Sequence, residues 1–153
     1  MTEFPDQDIY YMRLALEEAT KAYAAGEVPV GAIIVRNGEI LALTGNLRES
    51  SKDPSAHAEV LALRAAAGQS DSWRLSDATL YVTKEPCIMC SGTMINARIK
   101  RLVYGCSDAK AGGVDSLYHI LSDSRLNHQV EVSSGVLAEE CASLLKLFFS
   151  ERR

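Results

Sequence analysis

The sequence predicts an α/β chain, a three-layer α/β/α sandwich built on a mixed five-stranded sheet. Three observations carry this. Asn37-Gly38 between two apolar runs marks an antiparallel hairpin. Residues 79–83 and 101–104 read as strands on either side of a helical stretch, and such a crossover joins a parallel pair. Amphipathic helical patterns open and close the chain, so helices are available for both faces of the sheet.

Each element has its own reason. Asp6 or Asp8 is expected to cap a first helix reaching about Ala25, with Ile9, Met12, Leu16, Ala19 and Tyr23 on one face and Gly26 as the stop. Residues 30–35 and 40–44 are the hairpin strands. Residues 47–54 are polar and read as a loop. A second helix starts at Pro54-Ser55, carries Val60, Leu61 and Leu63, and stops at Gly68. Residues 69–77 form a loop with Trp73. After the third strand, Pro86 opens a helix with Met89, Met94 and Ile95 on its buried side. Residues 105–113 are a loop at the end of the fourth strand, where ligands gather in open α/β sheets. A helical turn at 117–121 and a fifth strand at 129–133 follow. Gly135 breaks the chain before a closing helix at 137–149, with Leu137, Cys141, Leu144 and Phe148 on one face.

A chain of 153 residues suits a single domain, residues 1–153, with a real core. Hydrophobic residues make up 47% and charged residues 24%, the balance of a soluble globular protein. No apolar run reaches membrane-spanning length, and the start carries no signal-peptide core, so a cytoplasmic location without a membrane partner is expected. A net charge of −4 argues against a surface coated in cations for nucleic acid. Lys84, Arg98, Lys100, Arg101 and Lys110 outnumber Glu85 and Asp108 locally, and Arg152 and Arg153 add two cations at the tail. Such clusters are more often solvated surface than a phosphate site.

Two short stretches carry the chemistry: His57-Ala58-Glu59 and Pro86-Cys87-Ile88-Met89-Cys90. Zinc takes nitrogen and sulfur ligands in a tetrahedron, and a catalytic site keeps one position open. His57, Cys87 and Cys90 supply three ligands. Cys87 and Cys90 are three apart and share a helix face, whereas His57 and Glu59, two apart, do not. The site is therefore expected off the ends of two helices, whose N-termini favour thiolates. Glu59 is expected to stay off the metal as the proton carrier, since two thiolates already neutralise a zinc dication. Alone, C-x-x-C also reads as half a structural zinc knot or a redox pair. Cys106 and Cys141 read as buried free thiols. Asn46 offers a donor and an acceptor to a base edge, but alone it reads as a turn residue. Val28, at the sheet entry, reads as pocket lining or as packing.

H-x-E followed by P-C-x-x-C is a recognised signature of zinc-dependent base deaminases. With Glu27-Val28-Pro29-Val30-Gly31, Asn46, Asn96-Ala97-Arg98, Asp108-Ala109-Lys110, Leu126-Asn127-His128 and Phe148-Phe149, the chain resembles the bacterial tRNA-specific adenosine deaminases of the cytidine-deaminase-like superfamily. The resemblance runs nearly end to end. It implies one zinc per subunit, a homodimer, and conversion of adenosine to inosine at the wobble position of a tRNA anticodon loop, with DNA not expected as a natural substrate. It implies that Asn46 contacts the base, with Val28 and Ala58 beside it. It makes Asp108, Lys110 and Phe149 candidate contacts to the RNA. Lys84 stands where the family usually has an apolar residue, and Cys106 is unusual after Tyr104-Gly105. A deaminase of a free base or nucleoside, of guanine or cytosine type, would share the same zinc motif.

Overall fold

The first layer is set by a helix laid across the hairpin. A computed structural model describes residues 4–152, so Arg153 of the basic tail lies outside the described residues. Helix α1 (Asp6–Ala24) precedes β1 (Gly31–Arg36) and β2 (Glu39–Gly45). Asn37 and Gly38 both have positive φ, as a two-residue turn matching the strand twist requires. The short helix α2 (Arg48–Ser51) and helix α3 (Ala58–Ser70) follow. Next come β3 (Thr79–Lys84), α4 (Ile88–Ala97) and β4 (Arg101–Cys106). A loop with a 3-10 turn at Ile120–Ser122 leads to β5 (Glu131–Ser134) and α5 (Ala138–Ser150).

The sheet order is β2-β1-β3-β4-β5. β1 pairs antiparallel with β2 and β3, whereas β3–β4 and β4–β5 are parallel. The mixed five-stranded α/β sandwich is as expected. Period-two alternation divides the core. Ala32, Ile34, Leu80, Val82, Leu102 and Tyr104 face α3 and α4, while Ile33, Val35, Tyr81 and Val103 face α1 and α5. Among the described residues no helix is long and apolar enough to cross a membrane.

Several expectations need correction. Asp8 does not cap α1, whose N-cap is Pro5 without a side-chain bond. Asp8 is buried and accepts hydrogen bonds from Tyr81 Oη at 2.8 Å and from the Arg101 guanidinium at 3.0 and 2.7 Å. The buried face of α1 is Tyr11, Met12, Ala15, Ala19 and Ala22, one position away from much of the predicted stripe. Helix α2 was expected as loop; four residues are too few to show a period. Helix α3 passes Gly68 and ends where Asp71 adopts the left-handed conformation. Both prolines lie before their helices rather than in the first turn, because His57 and Cys87 take the N-cap positions. Trp73 is exposed after the end of α3, with the guanidinium carbons of Arg74 at 4.7 Å and Arg98 at 5.8 Å from its ring. Cys106 and Cys141 are buried together on the α1/α5 face, away from the metal motif, so neither is a fourth ligand.

Candidate active site

The N-termini of α3 and α4 meet beyond the carboxyl ends of β3 and β4. His57 is the N-cap of α3, and its carbonyl accepts the Leu61 N–H at 3.1 Å. Cys87 is the N-cap of α4, and its carbonyl accepts the Ser91 N–H at 2.9 Å. Cys90 lies one turn further. An N-cap residue points its side chain off the helix end, which lets residues from two helices converge.

His57 Nδ1 lies 3.5 Å from Cys87 Sγ and 3.5 Å from Cys90 Sγ. All three ligand atoms fall within 4.8 Å of one another. Tetrahedral zinc with bonds of about 2.0–2.1 Å to nitrogen and about 2.3 Å to sulfur needs a nitrogen–sulfur separation of about 3.5 Å. The donor set and its spacing therefore fit that ion. The Cys87 thiol is held down to about 4 by the Cys90 thiol, the His57 ring and the Cys90 backbone N–H, all hydrogen-bonded to its sulfur. Its hydrogen bond to Cys87, together with burial, pushes Cys90 up. The His57 ring is raised by its bond to Cys87.

Glu59, the second residue of α3, is 4% exposed. Burial raises its carboxyl above the ordinary range, against the pull of its own backbone N–H and of His57. A carboxyl tuned upward beside a metal-ligand set suits proton transfer.

His57, Glu59 and Cys87 line a cavity of about 250 Å³ with Val28, Val30, Asn46, Arg48, Ala58, Lys84, Glu85, Asp108, Ala111 and Phe149; Cys90 is fully buried and is not in its wall. Of the residues expected here, His57, Glu59, Cys87, Val28, Asn46, Ala58, Asp108 and Phe149 are all in the wall. Lys110 is not; it is exposed, and its N–H donates to Asp108 Oδ1 at 3.1 Å. The closing aromatic pair splits: Phe148 is buried against Tyr23, while Phe149 is half exposed at the cavity. The basic cluster does not survive folding. Of its five cations only Lys84 lines the cavity, and its Nζ sits 3.1 Å from Asp108 Oδ2. Arg101 points to Asp8, and Arg98 lies at the far end of α4 beside Trp73.

Two residues that sequence reasoning passed over hold the walls. Glu27 is fully buried, and its carboxylate accepts the N–H groups of Glu49 at 3.0 Å and Ser50 at 2.7 Å. It thereby fixes the segment carrying Asn46 and Arg48. Asn46 Oδ1 accepts the Arg48 N–H at 3.3 Å. Glu85 does the same for the opposite wall. The sequence shows only an acidic residue between helix and strand at Glu27 and one just past an apolar strand at Glu85.

With this geometry described, comparison with known proteins places the chain. A family model of MafB19-like deaminases matches residues 6–153. The chain belongs to that family. A tRNA-specific adenosine deaminase of Haemophilus influenzae is 51% identical over 93% of this chain and 83% of its own length. Its counterpart in Bacillus subtilis (strain 168) is 49% identical over 96% of this chain and 91% of its own. A structure solved in a study of A-to-I editing by tRNA:A34 deaminases at the wobble position is 41% identical, with a TM-score of 0.86. The match covers 89% of this chain and 99% of that one. A guanine deaminase of Nitrosomonas europaea shares the fold, with a TM-score of 0.80 at 22% identity over 98% of this chain and 87% of its own.

Proposed function

We propose that this chain converts adenosine to inosine at the wobble position (34) of a tRNA, consuming water and releasing ammonia, with one zinc ion per subunit. The observation that carries the chemistry is the cluster of His57, Cys87 and Cys90, two of which line one cavity with the raised carboxyl of Glu59. The relatives named above supply the substrate. His57, Cys87 and Cys90 hold the metal. Zinc bound there supplies a Lewis acid that lowers the pKa of a water molecule.

The chain's own residues do the rest. The cavity, about 250 Å³, is just below the usual range for ligand sites, about 300–1,000 Å³, so it suits one base rather than a whole nucleotide. The target base must therefore leave its stack to enter. Val28 and Ala58 give it apolar walls, and the Asn46 amide meets its polar edge. Glu59 takes a proton from the attacking water and delivers it to N1 of adenine as oxygen adds at C6. It then passes the second proton to the 6-amino group, and ammonia departs. Asp108, Lys110 and Phe149 flank the entrance and contact the anticodon loop. The enzyme acts as a homodimer in the cytoplasm, needs no membrane, and does not take DNA as a natural substrate.

The test is to incubate the zinc-loaded protein with an anticodon stem-loop bearing adenosine at the wobble position, and separately with free bases and nucleosides. Inosine formed only in the RNA supports the reading. Turnover of free guanine or cytosine compounds alone overturns it.

A further inference from the structure

The loop from Ser107 to Tyr118 is mostly exposed, yet it supplies Asp108 and Ala111 to the cavity wall. Apolar burial holds little of it: Val114 is its one buried large side chain. A single carboxylate holds much of the rest. Glu85, one residue beyond β3, is 2% exposed. Its Oε1 accepts the Asp108 N–H at 3.0 Å and the Ser116 hydroxyl. Its Oε2 accepts three successive N–H groups, from Val114 at 3.2 Å, Asp115 at 2.8 Å and Ser116 at 3.0 Å. Successive N–H groups of this kind make an anion-binding concavity. The loop also closes around the carboxylate sterically. A Cβ on Gly112 would lie 2.3 Å from Glu85 Oε2 and 2.5 Å from Oε1, so only glycine fits there. The same loop pairs with the metal segment, through the bridge of Gly112 to Cys87 and the Gly113 N–H donated to Pro86 at 2.8 Å.

We propose that Glu85 is a positioning residue for substrate capture: its carboxylate holds the 108–116 wall in the shape that receives the RNA, without taking part in proton transfer. This rests on the tRNA reading above. Five donors on two oxygens require a carboxylate, which offers about four lone-pair sites and no hydrogen. A glutamine in its place turns an NH₂ toward either the Asp108 side or the Val114–Ser116 side. Whichever side it faces loses its acceptor. A buried N–H left in that state breaks away to find water. His57, Cys87, Cys90 and Glu59 are set by the N-terminal turns of α3 and α4, and the loop meets that segment through the backbone of Gly112 and Gly113 rather than through the donors that Glu85 holds, so the chemical step is spared.

The experiment compares wild type, Glu85→Gln and Ser116→Ala, all zinc-loaded, on the wobble-adenosine stem-loop. Metal content, kcat, KM and amide exchange are measured together. The expected result for Glu85→Gln is one zinc per chain, kcat within about threefold, KM raised at least tenfold, and faster exchange at Asp108 and at Val114 to Ser116. Ser116→Ala removes one of the five donors and should raise KM about threefold with the fold intact. If Glu85→Gln does not fold, Ser116→Ala decides by its KM and its exchange. A fall in kcat at unchanged KM, loss of zinc, or an unchanged KM in the folded variants overturns the proposal. Failure of the tRNA reading would show in the wild type; failure of the Glu85 role shows only in the variants.

Discussion

Glu59 and Glu85 are both buried and line the same cavity, yet their carboxyls are tuned in opposite directions. Burial dominates Glu59, which meets little besides its own N–H and the His57 ring, and its carboxyl is raised. Burial also acts to raise Glu85. The N–H of Asp108, the hydroxyl of Ser116 and the N–H groups of Asp115 and Ser116 overcome it and bring the carboxyl to about 2. Depth alone therefore does not decide whether an acid carries a proton; the number of donors aimed at it does. One cavity thus holds a raised carboxyl and a lowered one 26 residues apart. Asp8 is a third solution, a buried carboxylate met by a guanidinium and a phenol instead of backbone amides.

The comparison can be broken most directly at Glu59. Glu59→Gln keeps the size and removes the transferable proton, so kcat should fall by about 10³–10⁴-fold while zinc stays bound. Ammonia release paired with metal analysis reads both. Loss of zinc in step with activity would make Glu59 a ligand or a structural group. The next effect in size concerns Asp8. Arg101→Met leaves its carboxylate buried without a cation, at a cost of about 3–5 kcal/mol. Urea unfolding measures it, and a change under 1 kcal/mol would mean the pair is held too loosely to matter.

Acid unfolding separates the two glutamates further. Glu85 is lowered in the fold, so it contributes stability above the ordinary carboxyl range near 4.5, and that contribution fades as pH falls toward about 2. The stability of wild type should therefore drop more steeply between pH 4.5 and pH 2 than that of Glu85→Gln. Parallel curves would deny Glu85 its fixed charge. Glu59 has the opposite sign: a raised carboxyl opposes folding at neutral pH, and the opposition is relieved as pH falls. In metal-free protein, Glu59→Gln should therefore raise Tm at neutral pH, and an unchanged or lowered Tm would deny the burial penalty. The smallest effect belongs to the cavity rim. Burial raises Asp108, but the Lys84 ammonium, with the Lys110 and Ala111 N–H groups, outweighs it and lowers the carboxyl. Lys84→Leu should move the Asp108 carboxyl upward, readable by carbon NMR of the side chain; an unmoved resonance would confine the pair to chance proximity.

What was legible in the sequence was local. The stretches His57-Ala58-Glu59 and Pro86-Cys87-Ile88-Met89-Cys90, and the glycine turn at Asn37-Gly38, each declare themselves within five residues. Their chemistry depends on side chains at fixed short spacing, which a sequence records directly. Glu27 and Glu85 were passed over because their partners are backbone N–H groups 22 to 31 residues away, and a backbone amide has no letter of its own. Asp8 misled for a related reason. An acid near a helix start usually caps it, and only the distant β3 and β4 reveal that Tyr81 and Arg101 claim it. The parallel β4–β5 pair was hidden too, because the chain between them is a loop where a crossover helix would be expected.

Trp73 is the sole tryptophan, and it lies beyond the C-terminal end of α3, whose N-terminal end faces the cavity. Thirteen helical residues, about 20 Å, separate the indole from the reacting groups. Its emission is therefore a poor gauge of substrate occupancy. It is better placed as an optical thermometer for the far edge of the molecule, where loss of the Arg74 and Arg98 contacts would register melting there separately from the His57, Cys87 and Cys90 cluster.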